Sequence, residues 1–256
     1  MAEADKRLLS GVAVVTGAGS GLGRALARAL ADKGLRVAAL GRRQAALEET
    51  AAGHEHILPL ACDVADATAL GAAFARLRQE LGPVSLLVNN AAVYPRRDLF
   101  EETQARFMET VAVNLGGYFG ATRLALEDMA EAGFGRILNV ASFADMAPLP
   151  ASAAYSVSKG AGRILTRALV ADLADRFPDI VITDWLPGEL ATEMGLPEGL
   201  PPQVAAEWGA TLALWHAHSL NGVIFERDRE LPPARSLKAR LKDRLLLRRP
   251  KPLRRL

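Results

Sequence analysis

Short apolar runs recur along the chain, separated by longer segments that mix apolar and polar residues. Seven of these runs are rich in β-branched residues, which is typical of strands buried within a parallel sheet. They are GVAVVTG (11–17), LRVAALG (35–41), HILPLAC (56–62), VSLLVNN (84–90), GRILNVAS (135–142), DIVITDWL (179–186) and GVIFE (222–226). The pattern therefore predicts seven strands, most of them joined by longer connections.

Two of these connections carry an apolar stripe with helical spacing. They are LGRALARALADKG (22–34) and ATALGAAFARLRQELG (67–82), and each ends at a glycine, which commonly stops a helix. The stripe residues are Leu26, Leu30, Leu70, Phe74, Leu77 and Leu81. Strands that alternate with helices predict right-handed crossovers and a doubly wound parallel sheet with helices on both faces.

The chain shows no internal linker. Its 256 residues suit one large α/β domain, which we expect over residues 1–233, followed by an extension over residues 234–256. Residues 188–202, GELATEMGLPEGLPP, contain several glycines and prolines without periodicity. This segment is predicted to be a loop that can act as a lid.

Charge is distributed unevenly between the body and the extension. Residues 234–256 contain ten Lys and Arg and one acid, so the remaining 21 basic and 28 acidic residues give the body a net charge of −7. Leu237, Leu241 and Leu245 recur between basic side chains and predict a basic amphipathic helix over residues 235–247. Docking on the acidic body is favoured over a lipid surface. Nucleic acid is disfavoured because no aromatic residue interrupts the tail, and a solvated end stays open as an alternative.

The remaining composition favours a cytoplasmic protein without a metal. The single cysteine, Cys62, excludes an intramolecular disulfide and agrees with a reducing compartment. The charged start lacks the apolar core of a signal peptide, and no uncharged apolar run is long enough to span a bilayer. The pairs His54/His56 and His216/His218 have no acidic or thiol partners at ligand spacing, so no metal site is predicted.

The turn after the first strand has the features of a phosphate-binding turn. TGAGSGLG (16–23) has the spacing T-G-x-x-x-G-x-G, carried by Thr16, Gly17, Gly21 and Gly23, and a helix is predicted to follow it. Glycines let the backbone approach a pyrophosphate, and the N-terminus of the helix favours the anion. A glycine-rich turn without a ligand is the alternative.

Two arginines follow the second predicted strand. Enzymes that select NAD usually place an acid there to bind the ribose hydroxyls, whereas this chain has Arg42 and Arg43. Two guanidinium groups suit a 2′-phosphate, which favours NADP over NAD. Alternatively, both arginines are simply solvated at the start of the next helix.

The segment YSVSK (155–159) places Tyr155 and Lys159 four residues apart. On a helix these side chains share one face, so the hydroxyl and the ammonium group point into the same space. Both residue types are also common on solvated helix faces, so this spacing alone is weak evidence of a reactive pair.

Seven motifs follow one another along the chain: TGAGSGLG (16–23), CDV (62–64), NNAA (89–92), VNLGG (113–117), NVAS (139–142), YSVSK (155–159) and PGELATEM (187–194). In order and spacing this set resembles the short-chain dehydrogenase/reductase family, over about residues 11–226. The resemblance implies a single-domain Rossmann-type fold and an oxidoreductase that transfers hydride between NADP(H) and a carbonyl or secondary alcohol.

The resemblance also implies the catalytic residues Asn114, Ser142, Tyr155 and Lys159. Tyr155 would be the general acid and base, and the Lys159 ammonium would favour its phenolate. Ser142 would donate a hydrogen bond to the substrate oxygen. Asn114 would anchor a water that connects Lys159 to solvent. The alternatives without a catalytic role are a hydrogen bond at the strand end for Ser142 and a place at a helix bend for Asn114.

A cofactor site and a homo-oligomer are implied as well. Asn89 is expected to have a structural or ribose-side role, and relatives form dimers or tetramers through the helices that contain residues 118–129 and 160–173. The expected cofactor-binding residues are Thr16, Gly17, Gly21, Leu22, Gly23, Arg42, Arg43, Asp63, Val64, Asn90, Ala91, Tyr155, Lys159, Pro187, Gly188 and Thr192.

Two departures from the family pattern and two alternative functions qualify this interpretation. Ala92 replaces a glycine that is usual in the family, which would narrow the cofactor cleft slightly, and NGVIFERDREL (221–231) lacks the D-G-G ending. A cofactor-binding regulatory or interaction module is the first alternative. Sugar-nucleotide epimerase or dehydratase chemistry is the second, although it normally needs a larger substrate domain. Tyr94, Phe143, Met146, Trp185 and Met194 either line the substrate cleft or belong to the core.

Overall fold

The structure, a computed structural model, describes residues 3–232 and 252–256. Its strands are β1 (Val12–Thr16), β2 (Arg36–Gly41), β3 (Ile57–Ala61), β4 (Val84–Asn89), β5 (Gly135–Val140), β6 (Ile180–Leu186), β7 (Ile224–Glu226) and β8 (Arg229–Glu230). Its α-helices are α1 (Glu3–Ser10), α2 (Gly21–Asp32), α3 (Gln44–Ala51), α4 (Ala67–Glu80), α5 (Gln104–Val111), α6 (Tyr118–Ala132), α7 (Ala153–Leu173) and α8 (Pro202–Leu214). All seven predicted strands are confirmed.

The eight strands form one sheet in the order β3-β2-β1-β4-β5-β6-β7-β8. Strands β1 to β7 pair in parallel, and β8 pairs with β7 in an antiparallel hairpin. The chain crosses to the other side of β1 when it passes from β3 to β4, so the strand order reverses there. In open α/β sheets the ligand cleft lies outside the carboxyl ends of the strands at such a reversal.

Apolar side chains cover both faces of the sheet. One cluster includes residues of α1, α2 and α8, and the other includes residues of α4, α6 and α7. The predicted stripe residues are buried apart from Leu81, which is half-buried. The glycines after α2 and α4, Gly34 and Gly82, have positive φ angles of 89° and 108°, which confirms them as helix stops. The predicted doubly wound α/β fold is therefore correct.

Three local features were not predicted. A π-helical turn over Ala112–Gly117 joins α5 to α6, and such turns frequently occur at functional sites. Helix α8 begins at Pro202, at the end of the predicted loop. The sequence after β7 turns back as β8, through Arg227 in a left-handed conformation with φ of 49°.

The last residues of the chain lie against the β7–β8 hairpin. The Arg254 guanidinium forms an ion pair with the Glu230 carboxylate at 2.7 Å, and Arg255 pairs with Asp228. The Leu256 amide donates to the Asp228 carbonyl, and the Leu256 side chain packs against the core. The predicted helix over residues 235–247 lies outside the described residues.

Candidate active site

A large cleft opens at the carboxyl ends of the strands, and most of the predicted site residues line it. Thr16 and Asn114 instead lie behind this cleft, beside a small internal cavity. Within the described residues, the predicted residues that line the cleft are Gly17, Gly21, Leu22, Gly23, Arg42, Arg43, Asp63, Val64, Asn90, Ala91, Ser142, Tyr155, Lys159, Pro187, Gly188 and Thr192.

The glycine turn is closed by backbone packed directly against it. A Cβ atom at Gly23 would lie 2.1 Å from the Gly17 carbonyl oxygen, and one at Gly17 would lie 2.8 Å from Ala91 Cα. Gly17 and Gly21 also have positive φ angles of 68° and 51°. Only glycine fits these three positions, and the turn leads into the N-terminus of α2, as a pyrophosphate site requires.

Thr16 shapes this turn from behind. Its Oγ1 accepts hydrogen bonds from the backbone N–H groups of Asn90 and Ala91, both at 3.0 Å, and its side chain is buried. The Asn90 amide in turn donates to the Thr16 carbonyl at 2.9 Å. Thr16 therefore holds the ends of β1 and β4 together and does not face the cleft.

Arg42 and Arg43 extend from the end of β2 at the rim of the cleft. Both side chains are exposed, and neither forms an ion pair with any residue that the structure describes. Asp63 lies on the next loop, where its Oδ1 accepts from the Ala65 N–H at 3.0 Å. The basic pair is thus available to an anionic ligand, whereas the neighbouring Arg24 is already bonded to Glu49 and to backbone carbonyls.

The predicted loop after β6 folds back on itself over the glycine turn. The Ala191 N–H donates to the Leu200 carbonyl at 2.9 Å, which closes the base of the loop. The Thr192 methyl group lies 3.1 Å from the position of a Cβ at Gly21, so the two loops touch. Sequence reasoning missed Arg227, whose guanidinium Nε lies 2.8 Å from the position of a Cβ at Gly188 and which lines the cleft.

Tyr155 and Lys159 share one face of α7, as their spacing predicts. Lys159 Nζ lies 5.9 Å from the centre of the Tyr155 ring and donates to the Val140 carbonyl at 2.8 Å. Ser142 follows β5, and its Oγ accepts from the Ala144 N–H at 3.2 Å. The Ser142 side chain also lies near enough to Tyr155 to lower the pKa of the phenol. The cleft therefore brings a phenol, an ammonium group and a hydroxyl together.

Burial controls the protonation of both groups. It raises the pKa of Tyr155 above its ordinary value, an effect that the nearby Ser142 side chain opposes and the neighbouring Tyr94 reinforces. Burial also lowers the pKa of Lys159 to about 8, against the opposing effect of the Asp184 carboxylate. These residues favour a protonated phenol at neutral pH. The predicted effect of the Lys159 ammonium on Tyr155 stays a prediction.

The Asn114 side chain lies in the π-helical turn and is fully engaged. Its Oδ1 accepts from the Val93 N–H at 2.8 Å, and its Nδ2 donates to the Val93 carbonyl and to Ser158 Oγ, both at 3.0 Å. It therefore fixes the loop after β4 against α7. The side chain borders the same internal cavity as Lys159.

The internal cavity lies between the sheet and the face of α7 that carries Lys159. It is lined by polar groups, among them Asn89, Asn139 and Asp184, and has room for about one water molecule. The Asn89 amide donates to Asn139 Oδ1 at 3.0 Å, which favours the structural role over the ribose-side role for Asn89. Asp184 was not expected at the site. Its single signal in the sequence is an acid inside a mostly apolar strand.

The aromatic and sulfur side chains divide between cleft and core. Tyr94 stacks on Tyr155 with ring centres 4.3 Å apart, and Phe143 and Met194 also line the cleft. Trp185 is fully buried in the core, and its Nε1 donates to the Arg227 carbonyl at 2.9 Å. Of the two alternatives open for Trp185, the core is correct.

Three of the four histidines have ordinary structural partners. His54 pairs with Asp32, His218 pairs with Asp179, and His216 stacks on Phe134. In the parts of the chain that the structure describes, no group of three or more His, Cys, Asp or Glu could hold a metal ion. No helix of residues 3–232 is both long and apolar enough to cross a bilayer.

Comparison with known proteins agrees with this geometry. Residues 11–199 match the sequence profile of the family described as short chain dehydrogenase. The chain belongs to the short-chain dehydrogenase/reductase family. It is therefore an oxidoreductase, and the family uses an NAD(P) cofactor, which the glycine turn and the open cleft fit.

Three relatives show the range of substrates in this family. Galactitol 2-dehydrogenase (L-tagatose-forming) of Cereibacter sphaeroides is 38% identical over 79% of this chain and 80% of its own length. The 2-(R)-hydroxypropyl-CoM dehydrogenase of Xanthobacter autotrophicus is 38% identical over 65% of this chain and 70% of its own length. The NADP-dependent (R)-specific alcohol dehydrogenase of Lentilactobacillus kefiri is 31% identical over 73% of this chain and 76% of its own length.

Proposed function

We propose that the protein is an NADP(H)-dependent enzyme that interconverts a carbonyl compound and a secondary alcohol, with Tyr155 as general acid and base. The observation that supports this most is the cluster of Tyr155, Lys159 and Ser142 in the cleft that contains the glycine turn. The names of the three relatives describe oxidation of polyols or alcohols, which agrees with this reaction class.

Each side chain has a distinct part in the proposed reaction. The nicotinamide cofactor, which the glycine turn with Arg42 and Arg43 would hold, would supply or accept the hydride. During reduction Tyr155 donates its phenolic proton to the substrate oxygen. During oxidation its phenolate takes the proton from the alcohol hydroxyl. Ser142 donates a hydrogen bond to the same oxygen, where negative charge develops. Lys159 orients Tyr155 and carries a positive charge beside it.

Proton resupply involves the groups behind Tyr155. Lys159 borders both the cleft and the internal cavity, so its ammonium group links the two. Asn114 holds α7 against the loop after β4 and thereby keeps Lys159 in place. A water bound in this region then connects Lys159 to solvent and returns the proton that Tyr155 has given up.

A panel of ketones and secondary alcohols tests this function. Each substrate is incubated with NADP(H) and with NAD(H), and the absorbance of the reduced nicotinamide is followed. Turnover of at least one carbonyl is expected. Tight cofactor binding without turnover of any substrate would instead favour a regulatory or interaction module, and consumption of a nucleotide sugar without net redox change would favour an epimerase or dehydratase.

The preference for NADP(H) is proposed from Arg42 and Arg43, which are exposed at the cleft and unpaired among the described residues. Changing both to alanine should weaken NADPH binding by roughly 10- to 1000-fold, because two hydrogen bonds to a charged group are lost. NADH binding should change little. Fluorescence titration of both reduced cofactors measures this difference.

The matched control removes two other arginines. Arg76 and Arg123 are exposed on α4 and α6 and lie outside the cleft. Changing both to alanine removes the same net charge. The affinities for NADPH and for NADH should both stay at the parent value. Tighter binding of NADH than NADPH by the parent protein would contradict the proposal.

A homo-oligomer is proposed from the exposed apolar residues of α6 and α7. Phe119, Val157 and Ile164 are each more than half exposed, at 51%, 55% and 60%, on the two helices expected to pair. Ile164→Glu should therefore convert a dimer or tetramer largely to monomer, because a charge would be buried without a partner. Sedimentation velocity measures this change. Val204→Glu, on α8, is the control and should leave the assembly intact. A parent protein that sediments only as a monomer would refute the proposal.

Two further proposals concern the extension and the location. The contacts of Arg254 and Arg255 with Glu230 and Asp228 support docking of the extension over residues 234–256 on the acidic body.

The single cysteine, Cys62, is buried and unpaired, which agrees with the proposed cytoplasmic location.

A further inference from the structure

Asp184 is a buried carboxylate, and other groups in the fold must offset the free energy needed to remove its charge from water. It lies on β6 and is 3% exposed. Its Oδ1 accepts hydrogen bonds from Thr166 Oγ1 at 2.6 Å and from Asn139 Nδ2 at 3.3 Å. Both donors are neutral, and no described residue forms an ion pair with Asp184. A buried charge of this kind is expected to have a cationic partner nearby.

The cationic groups around Asp184 all come from α7. Arg163 lines the same cavity as Asp184 and acts on Asp184 through its charge, but its Nη1 is bonded to the Asp145 carboxylate, at 3.0 and 2.8 Å. Arg167 affects Asp184 only through its more distant charge. Lys159 also lines this cavity and, unlike Arg163, forms no ion pair with any carboxylate of the described residues.

The other elements that pack against Asp184 contribute neutral groups. They are Tyr118 from α6, Asn139 from β5 and Asn89 from β4. Tyr118 forms a 2.8 Å hydrogen bond with Thr166, and burial raises its pKa far above the ordinary value, so it stays neutral. Lys159 is thus the cation across the cavity whose charge no carboxylate contact satisfies.

The internal cavity is suited to couple these two groups. The Oδ1 atom of Asn89 is buried there without a hydrogen-bond donor. Lys159 Nζ has three protons, and Val140 accepts one of them. One water in the cavity, which is large enough for it, can accept from Lys159 and donate to Asp184 and Asn89. The unsatisfied Asn89 oxygen would then have a donor, and Lys159 and Asp184 would each gain a further hydrogen bond.

We propose that Asp184 is a positioning residue for this reaction, because its carboxylate is the buried counter-charge that keeps Lys159 an ammonium ion. The inference rests on the proposed function of Tyr155 and Lys159. It explains how a partly buried lysine stays charged beside a tyrosine that must give up and regain a proton. The opposing effects on Lys159, burial against the Asp184 charge, agree with it.

Asp184→Asn is the direct test, because it removes the charge and keeps the shape. The side-chain 13Cε resonance of Lys159, assigned with the Lys159→Arg variant in protein labelled at lysine, is followed against pH. Loss of the Asp184 negative charge across the cavity should lower the Lys159 midpoint by on the order of one pH unit. The alkaline decline of carbonyl reduction should move to lower pH by a similar amount.

Asp128→Asn is the matched control. Asp128 is a largely enclosed carboxylate that pairs with Arg78 at the opposite ends of the strands, beside Val84 at the start of β4. Its loss should lower thermal stability without moving the Lys159 midpoint. A purely structural role for Asp184 would give this same pattern in Asp184→Asn, namely lower stability with an unshifted midpoint, and would overturn the proposal.

These measurements distinguish failure of the proposed function from failure of the proposed role of Asp184. The lysine titration needs no turnover, so a protein that reduces no carbonyl would contradict the proposed function and leave the coupling measurable. An unshifted Lys159 in an active Asp184→Asn enzyme would overturn the role of Asp184 alone. If Asp184→Asn does not fold, Asp184→Ser is titrated in its place, with the same expected shift.

Discussion

Tyr155→Phe is expected to reduce the rate of carbonyl reduction by roughly 10²–10⁴-fold, the usual effect of removing a general acid. The variant keeps the ring that stacks on Tyr94 and loses only the phenolic hydroxyl group. Hydride transfer would then generate an alkoxide without a proton source. Steady-state kinetics with the best ketone of the panel, at saturating NADPH, measures the loss.

The same variant contains its own control. Because the phenyl ring keeps its packing, the NADPH affinity and the melting temperature should stay near those of the parent. A variant that retains most of its turnover would remove Tyr155 from the mechanism. Parallel losses of cofactor affinity and stability would instead show that the hydroxyl group is mainly structural.

Gly23→Ala should lower both thermal stability and NADPH affinity. An alanine Cβ at this position would lie 2.1 Å from the Gly17 carbonyl oxygen and 2.5 Å from the Asn90 amide, and a backbone atom cannot move aside. Overpacking of this kind costs about 1–3 kcal/mol or more. Since the turn must widen to accept the methyl group, we expect NADPH affinity to fall by at least roughly tenfold.

Gly71→Ala is the control for this prediction. Gly71 also lies in a helix, α4, but a Cβ there would meet no atom within 4 Å. Alanine is the better helix former, so this variant should gain about 0.5–1 kcal/mol of stability. Thermal denaturation of both variants, with cofactor titration, separates the clash from the helix propensity. A stabilised Gly23→Ala protein with unchanged NADPH binding would contradict the predicted clash.

Local sequence patterns predicted most of the secondary structure. All seven strands appear where short β-branched runs predicted them, because strands buried on both faces must be apolar along their whole length. The ends of α2 and α4 follow from Gly34 and Gly82, whose positive φ angles glycine adopts without strain. The π-helical turn over Ala112–Gly117 was missed, since its residues have no local feature that separates it from an α-helix.

The candidate site was predicted residue by residue only as far as spacing and motif allow. Tyr155 and Lys159 share a face because four residues are about one helical turn. The positions of Thr16 and Asn114 behind the cleft, and of Trp185 in the core, needed the folded chain. Each of these side chains faces partners far away in the sequence.

The sequence by itself determined the order of the elements, the glycine turn and the placement of Tyr155 and Lys159 on one face of α7, because these depend on contacts within a few residues of one another. Only the tertiary structure decided what surrounds them. It brought Asp184 to the cavity behind Lys159, placed Arg227 beside Gly188 and stacked Tyr94 on Tyr155. These neighbours are brought together by sheet order and loop packing, so the burial and charge that control the chemistry exist only in the folded protein.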